Sequence, residues 1–194
     1  MRTVFFDVDT QMDFLVPAGA LYVPGAENLL PAWRRLRDYA VAHGILIVSS
    51  TDAHEEDDPE FAYWPPHCVR GTVGQQKPPE TLAEPRLIVP LAPGDYPPGD
   101  ARQIVVEKQA LDVFTNPNLP ALLDRIEAAR CVVYGLVTEY CVRCAALGLL
   151  GTGRRVELVT DAVRSLDPEA GRRTLDEILQ AGGRLTTVAE LCGP

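Results

Sequence analysis

Short apolar runs recur along the chain: TVFFDV (3–8), ILIVSS (45–50), QIVVEK (103–108), CVVYGL (131–136), RVELVT (155–160) and RLTTVA (184–189). Runs of this length, bounded by turn residues, predict strands buried on both faces. Between several of them lie amphipathic stretches with apolar residues at helical spacing: AENLLPAWRRLRDYAVAHG (26–44), NLPALLDRIEAAR (118–130), TEYCVRCAALGLLGTG (138–153) and DPEAGRRTLDEILQAGG (167–183). Gly44, Gly151 and Gly182 read as helix stops. The alternation predicts one domain over 1–194, a three-layer α/β/α, Rossmann-like α/β fold with a mainly parallel sheet of about six strands. One stretch breaks the rhythm. Positions 51–100 are crowded with prolines and show no convincing helix, with a weak extra strand at RLIVPL (86–91). A loop region that long inside a compact domain is usually functional.

Charge narrows the partners. With 27 acidic against 18 basic residues, the net charge of −9 argues against phosphate-backbone binding, so no nucleic-acid partner is expected. Nor is a membrane partner: there is no basic amphipathic helix and no apolar run near the ~20 residues that span a bilayer. The apolar start of the chain reaches an acid at Asp7, too soon for a secretory h-region. Five cysteines are too few for a disulfide framework at this length, so a reduced, cytoplasmic protein is expected. Assembly into a homo-oligomer stays open.

In open parallel sheets, ligands bind beyond the carboxyl ends of the strands. The first run is followed by Asp9, the second by Asp52 and His54, the third ends at Lys108, and the fourth leads into Cys141. A carboxylate, a lysine and a cysteine are thus expected at one sheet edge. Lys108 is one of two lysines in an arginine-rich chain. Arginine is a broad, permanently charged fork, whereas lysine is a compact cation whose pKa burial can move. The other, Lys77, lies in a polar, proline-flanked run and reads as a surface lysine. Cys131 and Cys192 read as small core hydrophobes and Cys68 as loop packing. Cys141, at the entrance of a helix, is where amides and dipole favour a thiolate. Cys141 and Cys144 also form a C-x-x-C, which leaves a redox reading open, although the Trp-Cys-Gly/Pro context is absent. In the loop region Asp52, His54, Glu60 and His67 offer oxygen and imidazole donors suited to zinc, iron or manganese, and Trp64 stands beside them. A polar loop without an ion fits the same residues. His43 fits a helix C-terminus.

Taken together, DTQMDF (9–14), DAH (52–54), WPPHCVRGTVG (64–74), Lys108 and GLVTEYCV (135–142) resemble the isochorismatase-like cysteine hydrolases, and among them the nicotinamidases. The resemblance implies that family's fold and an Asp9–Lys108–Cys141 catalytic triad. It also implies an oxyanion hole from the backbone amides of Val137 and Cys141, with a cis peptide between Leu136 and Val137. Phe14 and Trp64 match the residues that sandwich the substrate ring. Asp52, His54 and His67 match the ligands of one divalent transition metal, with Glu60 at a position filled by His or Glu. The implied activity is hydrolysis of nicotinamide, or a similar heteroaromatic carboxamide, to the acid and ammonia through a thioester. Another small amide, or a non-catalytic small-molecule binder on this fold, is the alternative. The chain departs from the nicotinamidases after Lys108, where KQALDVFTN is short and lacks a tyrosine. Phe114 there could stand for the phenylalanine that ends the family's longer loop.

Overall fold

A computed structural model describes residues 2–193. Seven strands form one parallel sheet in the order β3-β4-β2-β1-β5-β6-β7. They are β1 (Arg2–Val8), β2 (Leu46–Asp52), β3 (Arg86–Val89), β4 (Gln103–Lys108), β5 (Ala128–Leu136), β6 (Arg155–Arg164) and β7 (Arg184–Thr186). The weak run at 86–91 is therefore a full member of the sheet, on its edge beside β4, which raises the expected count of about six to seven. The helices are α1 (Met12–Leu15), α2 (Leu30–Ala42), α3 (Leu119–Arg125), α4 (Arg143–Gly151), α5 (Pro168–Gln180) and α6 (Val188–Cys192).

The period-2 alternation of β1 separates the two cores. Val4, Phe6 and Val8 face one apolar cluster, which α3, α4 and α5 close with Leu119, Leu123, Ala145, Leu149 and Ile178. Phe5 faces the other, closed by α2 and α6 through Trp33, Leu36, Ala40 and Val188. Both faces are covered, which is why the strands carry continuous apolar runs.

Three boundaries differ from the sequence reading. The amphipathic stretch 118–130 is helical only to Arg125. Glu127 turns with φ 53°, and Ala128–Arg130 already belong to β5, paired to β1 and β6. Strand 184–189 stops at Thr186, because Thr187 caps α6 in a capping box with Glu190. Gly151 closes α4 as its last residue, but the left-handed turn falls on Gly153 (φ 79°).

The 51–100 region contains β3 and two short 3-10 turns at Pro59–Ala62 and Pro79–Thr81. Its middle is strapped to α1: Met12 N donates to Gln76 O at 2.9 Å, Asp13 N to Gly74 O at 3.0 Å, and Gln11 Nε2 to Gln75 O at 2.8 Å. Lys77 is not the surface lysine expected. Its side chain is 4% exposed, with Nζ 3.1 Å from Asp7 Oδ2 on β1. Asp7 also accepts hydrogen bonds from Thr10 Oγ1 and Ser49 Oγ. A buried carboxylate requires such company, and the loop brings the cation back to it.

Candidate active site

The order in which strands are added reverses at β1, which lies between β2 and β5 with all three parallel. The carboxyl ends of β1, β2, β4 and β5 meet at this crevice. Register sets the neighbours. Asp52, the last residue of β2, pairs with Lys108, the last of β4, and Ala53 N donates to Lys108 O at 2.9 Å. Asp9, just past β1, adopts φ 46°, a left-handed conformation uncommon for a non-glycine residue and often found at functional sites. On β5, Gly135 has φ 124°, and a Cβ there would stand 2.0 Å from Val8 O. Only glycine lets β5 pass so close to β1. The Leu136–Val137 peptide that follows is cis, and Thr138–Val142 form one π-helical turn ahead of α4.

These elements bring Asp9, Lys108 and Cys141 together in the interior. Lys108 Nζ lies 2.8 Å from Asp9 Oδ2 and 3.6 Å from Cys141 Sγ. It also contacts Asp52 Oδ1. The other oxygen of Asp9 accepts from Ser50 Oγ at 2.6 Å. Lys108 is 1% and Asp9 1% exposed, so these charges act on one another almost unscreened by water. Burial works against the Lys108 ammonium, but Asp52 and Asp9 outweigh it and hold its pKa well above the ordinary lysine value. For Cys141 the balance runs the other way. Burial raises the thiol well above its ordinary value, with Lys108 opposing. Desolvation thus opposes the thiolate that the helix entrance and Lys108 favour, and the Asp9 carboxylate stands in the same cluster.

Asp52, His54 and His67 form a second cluster, all buried, whose donor atoms lie within 4.8 Å of one another. A short parallel bridge between His54 and Val69 brings the two histidines side by side, with ring centroids 4.7 Å apart. Both rings are anchored through Nδ1, His54 to Asp58 Oδ2 at 2.9 Å and His67 to Pro65 O at 2.9 Å. His54 Nε2 is buried with no hydrogen-bond partner, and His67 Nε2 stands 4.0 Å from Asp52 Oδ2. Burial lowers the pKa of His67, favouring the neutral imidazole that ligates metals. A carboxylate–histidine anchor with an orphaned second nitrogen fits a metal ligand. Asp52 has a foot in both clusters, and burial, against Lys108, pushes its pKa up to about 6. Glu60 lies outside this three-residue cluster but faces the same cavity, and burial raises its pKa.

The cavity above the two clusters has Cys141 and Val137 on one side and Asp52, Glu60 and His67 on another. Phe14 and Trp64 line it as well. Phe14 packs 5.7 Å from the His67 ring, and Trp64 meets Tyr140 edge-on at 5.7 Å. The remaining wall is apolar, from Leu21, Leu111 and Leu166. Leu111, rather than Phe114, reaches the cavity from the short loop after Lys108. Phe114 turns away to pack on α4, where a Cβ on Gly148 would come within 2.5 Å of its ring.

Residues 3–190 match the isochorismatase domain family. The chain belongs to that family. Within it, the chain is 27% identical to the nicotinamidase of Escherichia coli (strain K12), over 94% of this chain and 93% of that protein. Among solved structures, it resembles the pyrazinamidase of Pyrococcus horikoshii in complex with zinc, with 30% identity, a TM-score of 0.80 and coverage of 96% of this chain and 99% of that one. N-carbamoylsarcosine amidase from Thermoplasma acidophilum superposes with a TM-score of 0.80 at 26% identity, covering 98% of both chains. This isochorismatase-family chain is an amidase-type hydrolase near the nicotinamidases. Among the described residues no helix is long and apolar enough to cross a membrane.

Several residues that shape the site escape a reading of the sequence. Gln11 exchanges hydrogen bonds with the Asp52 backbone, Nε2 to O at 2.9 Å and Asp52 N to Oε1 at 2.7 Å. Asp13 accepts from Cys68 N at 2.6 Å and from Ala20 N at 3.0 Å. Ser50 and Asp58 hold Asp9 and His54. Gln11 and Asp13 stand inside the DTQMDF motif with no role read for them, and Asp58 is an acid four residues after a candidate ligand, in a run too rich in acids to single it out.

Proposed function

We propose that this protein hydrolyses nicotinamide or a similar heteroaromatic carboxamide to the acid and ammonia. The observation that carries the reading is the buried Lys108 ammonium, 2.8 Å from Asp9 and 3.6 Å from Cys141 beside a mainly apolar cavity. Asp9 takes the proton of the Cys141 thiol as Sγ attacks the amide carbon. Lys108 holds the Asp9 carboxylate and stabilises the sulfur anion as it forms. The amides of Val137 and Cys141 receive the oxyanion. Asp9 then returns the proton to the leaving nitrogen, ammonia departs, and a thioester remains on Cys141. With Asp9 again as base, water attacks the thioester, and the acid and the thiol are released.

Asp52, His54 and His67 would hold one divalent transition metal, with Glu60 as a further ligand or a close partner. Bound there, it supplies a Lewis-acid anchor for a ring nitrogen, which orients the carboxamide rather than activating water. Phe14 and Trp64 flank the ring. The named substrates and zinc of the relatives agree with this choice. Leu111 on the cavity wall favours a second reading, in which another small amide is the natural substrate. Ammonia release from a panel of amides, run with metal analysis and with chelator, separates them. Release from nicotinamide that falls on chelation supports the first reading. Release only from amides without a ring nitrogen, indifferent to chelator, overturns it.

A further inference from the structure

Glu139 lies in the π-helical turn that carries Cys141, two residues before the nucleophile. Its Oε1 accepts from Leu166 N at 2.9 Å and from Asp167 N at 2.8 Å. Both amides belong to the connection from β6 to α5. Asp167 caps α5, accepting from Glu169 N at 2.9 Å, and Leu166 is part of the cavity wall. The β5–β6 ladder runs only as far as Leu136 and Arg164, so Leu166 lies beyond it. Leu166 is 45% exposed, too open for packing alone to fix it. One carboxylate oxygen therefore ties the turn that holds the thiol to a wall of the cavity above it. Two converging N–H groups are a natural seat for an ionised oxygen, and such charge-assisted bonds are short and strong. They also satisfy the amide of Asp167, the N-cap that α5 itself leaves unpaired, and that of the residue before it.

We propose that Glu139 is a positioning residue, which sets the Leu166 wall relative to the Cys141 thiol and so governs how tightly an aromatic group is held there. Glu139 touches neither thiol nor substrate in this role, and its removal should affect ring binding more than chemistry. The proposal rests on the amide-binding reading of the cavity, but one arm of its test does not need turnover.

The variants are Glu139→Ala, Glu139→Gln, Leu166→Ala and the double Glu139→Ala/Leu166→Ala. With nicotinamide, Glu139→Ala should raise KM about tenfold while kcat stays within about threefold, the pattern of lost ground-state positioning. Glu139→Gln keeps a carbonyl oxygen for both amides and should remain within about threefold of wild type in KM. The double variant should be no worse than the worse single, since both changes disturb one wall. The second arm compares alkylation of Cys141 by N-benzylmaleimide and by iodoacetamide, read by mass mapping of the Cys141 peptide. Glu139→Ala should lower the ratio of aryl to small reagent several-fold, as Leu166→Ala does. If Glu139→Ala does not fold, Glu139→Asp, one methylene short of the amides, takes its place. An unchanged ratio, equal loss with both reagents, or additive effects in the double variant would overturn the proposal. A wild type inactive on every amide, with the ratio still shifted, would overturn the amide reading and leave Glu139 in its role.

Discussion

The only two lysines of this chain each sit in the interior against an aspartate, and the two aspartates lie two residues apart, at the end of β1 and just past it. Lys77 and Asp7 close a polar knot with Thr10 and Ser49, beside the core that α2 covers. Lys108 and Asp9 add a thiol, a second carboxylate and a cavity. A buried Lys–Asp pair is thus not in itself a sign of chemistry. The Lys77 pair anchors a loop to a strand, whereas in the Lys108 pair the cation has a third neighbour whose charge changes during the proposed reaction. The same electrostatics serves structure in one place and, in the proposed reaction, catalysis in the other.

The comparison breaks first at Lys108. Lys108→Ala and Lys108→Arg should each lower kcat/KM on the order of 10³-fold, because the guanidinium keeps the charge but is too broad for a space between two side chains. Steady-state ammonia release checks this. Near-normal activity in Lys108→Arg would mean that a generic cation suffices. The metal cluster should respond less. Asp58→Ala removes the carboxylate that orients His54 and should weaken metal affinity by about 10–100-fold, read by competition with a chromophoric chelator.

Lys77→Met should do the reverse of Lys108→Arg. It leaves Asp7 buried without its cation and should cost about 3–5 kcal/mol of stability, measured by denaturant unfolding. Activity per folded molecule should stay within about threefold. If Lys77→Met were as inactive as Lys108→Arg while fully folded, the division between the two pairs would fail. The smallest effect is expected at Cys144, half-buried in α4 one turn beyond Cys141. Cys144→Ala should keep activity within about twofold, and a large loss would revive the redox reading of the C-x-x-C.

The strand ends were legible because a parallel sheet has few places to put chemistry. Asp9, Asp52, Lys108 and Cys141 each follow or end an apolar run, and register does the rest. Lys77 was not legible. Its partner lies on a distant strand, and nothing in GQQKPPE signals that the segment folds back over β1. Residues 126–130 misled in a different way: Glu-Ala-Ala is good local helix sequence, and only pairing with β1 and β6 makes it strand. Phe114 does not take the place expected of it, because the small Gly148 on α4 opens a seat for its ring, and Leu111 reaches the cavity instead. The burial that opposes a thiolate at Cys141 could not be read from the helix entrance alone, since it follows from the whole fold.

The central claim is that Cys141 carries the acyl group during turnover. Mass spectrometry of enzyme acid-quenched within the first turnovers on nicotinamide tests it most directly. The expected result is a nicotinoyl mass on the Cys141 peptide alone, appearing with a burst of ammonia and absent, together with turnover, in Cys141→Ala. Ammonia release that persists in Cys141→Ala, with no adduct on the wild-type peptide, would contradict the account.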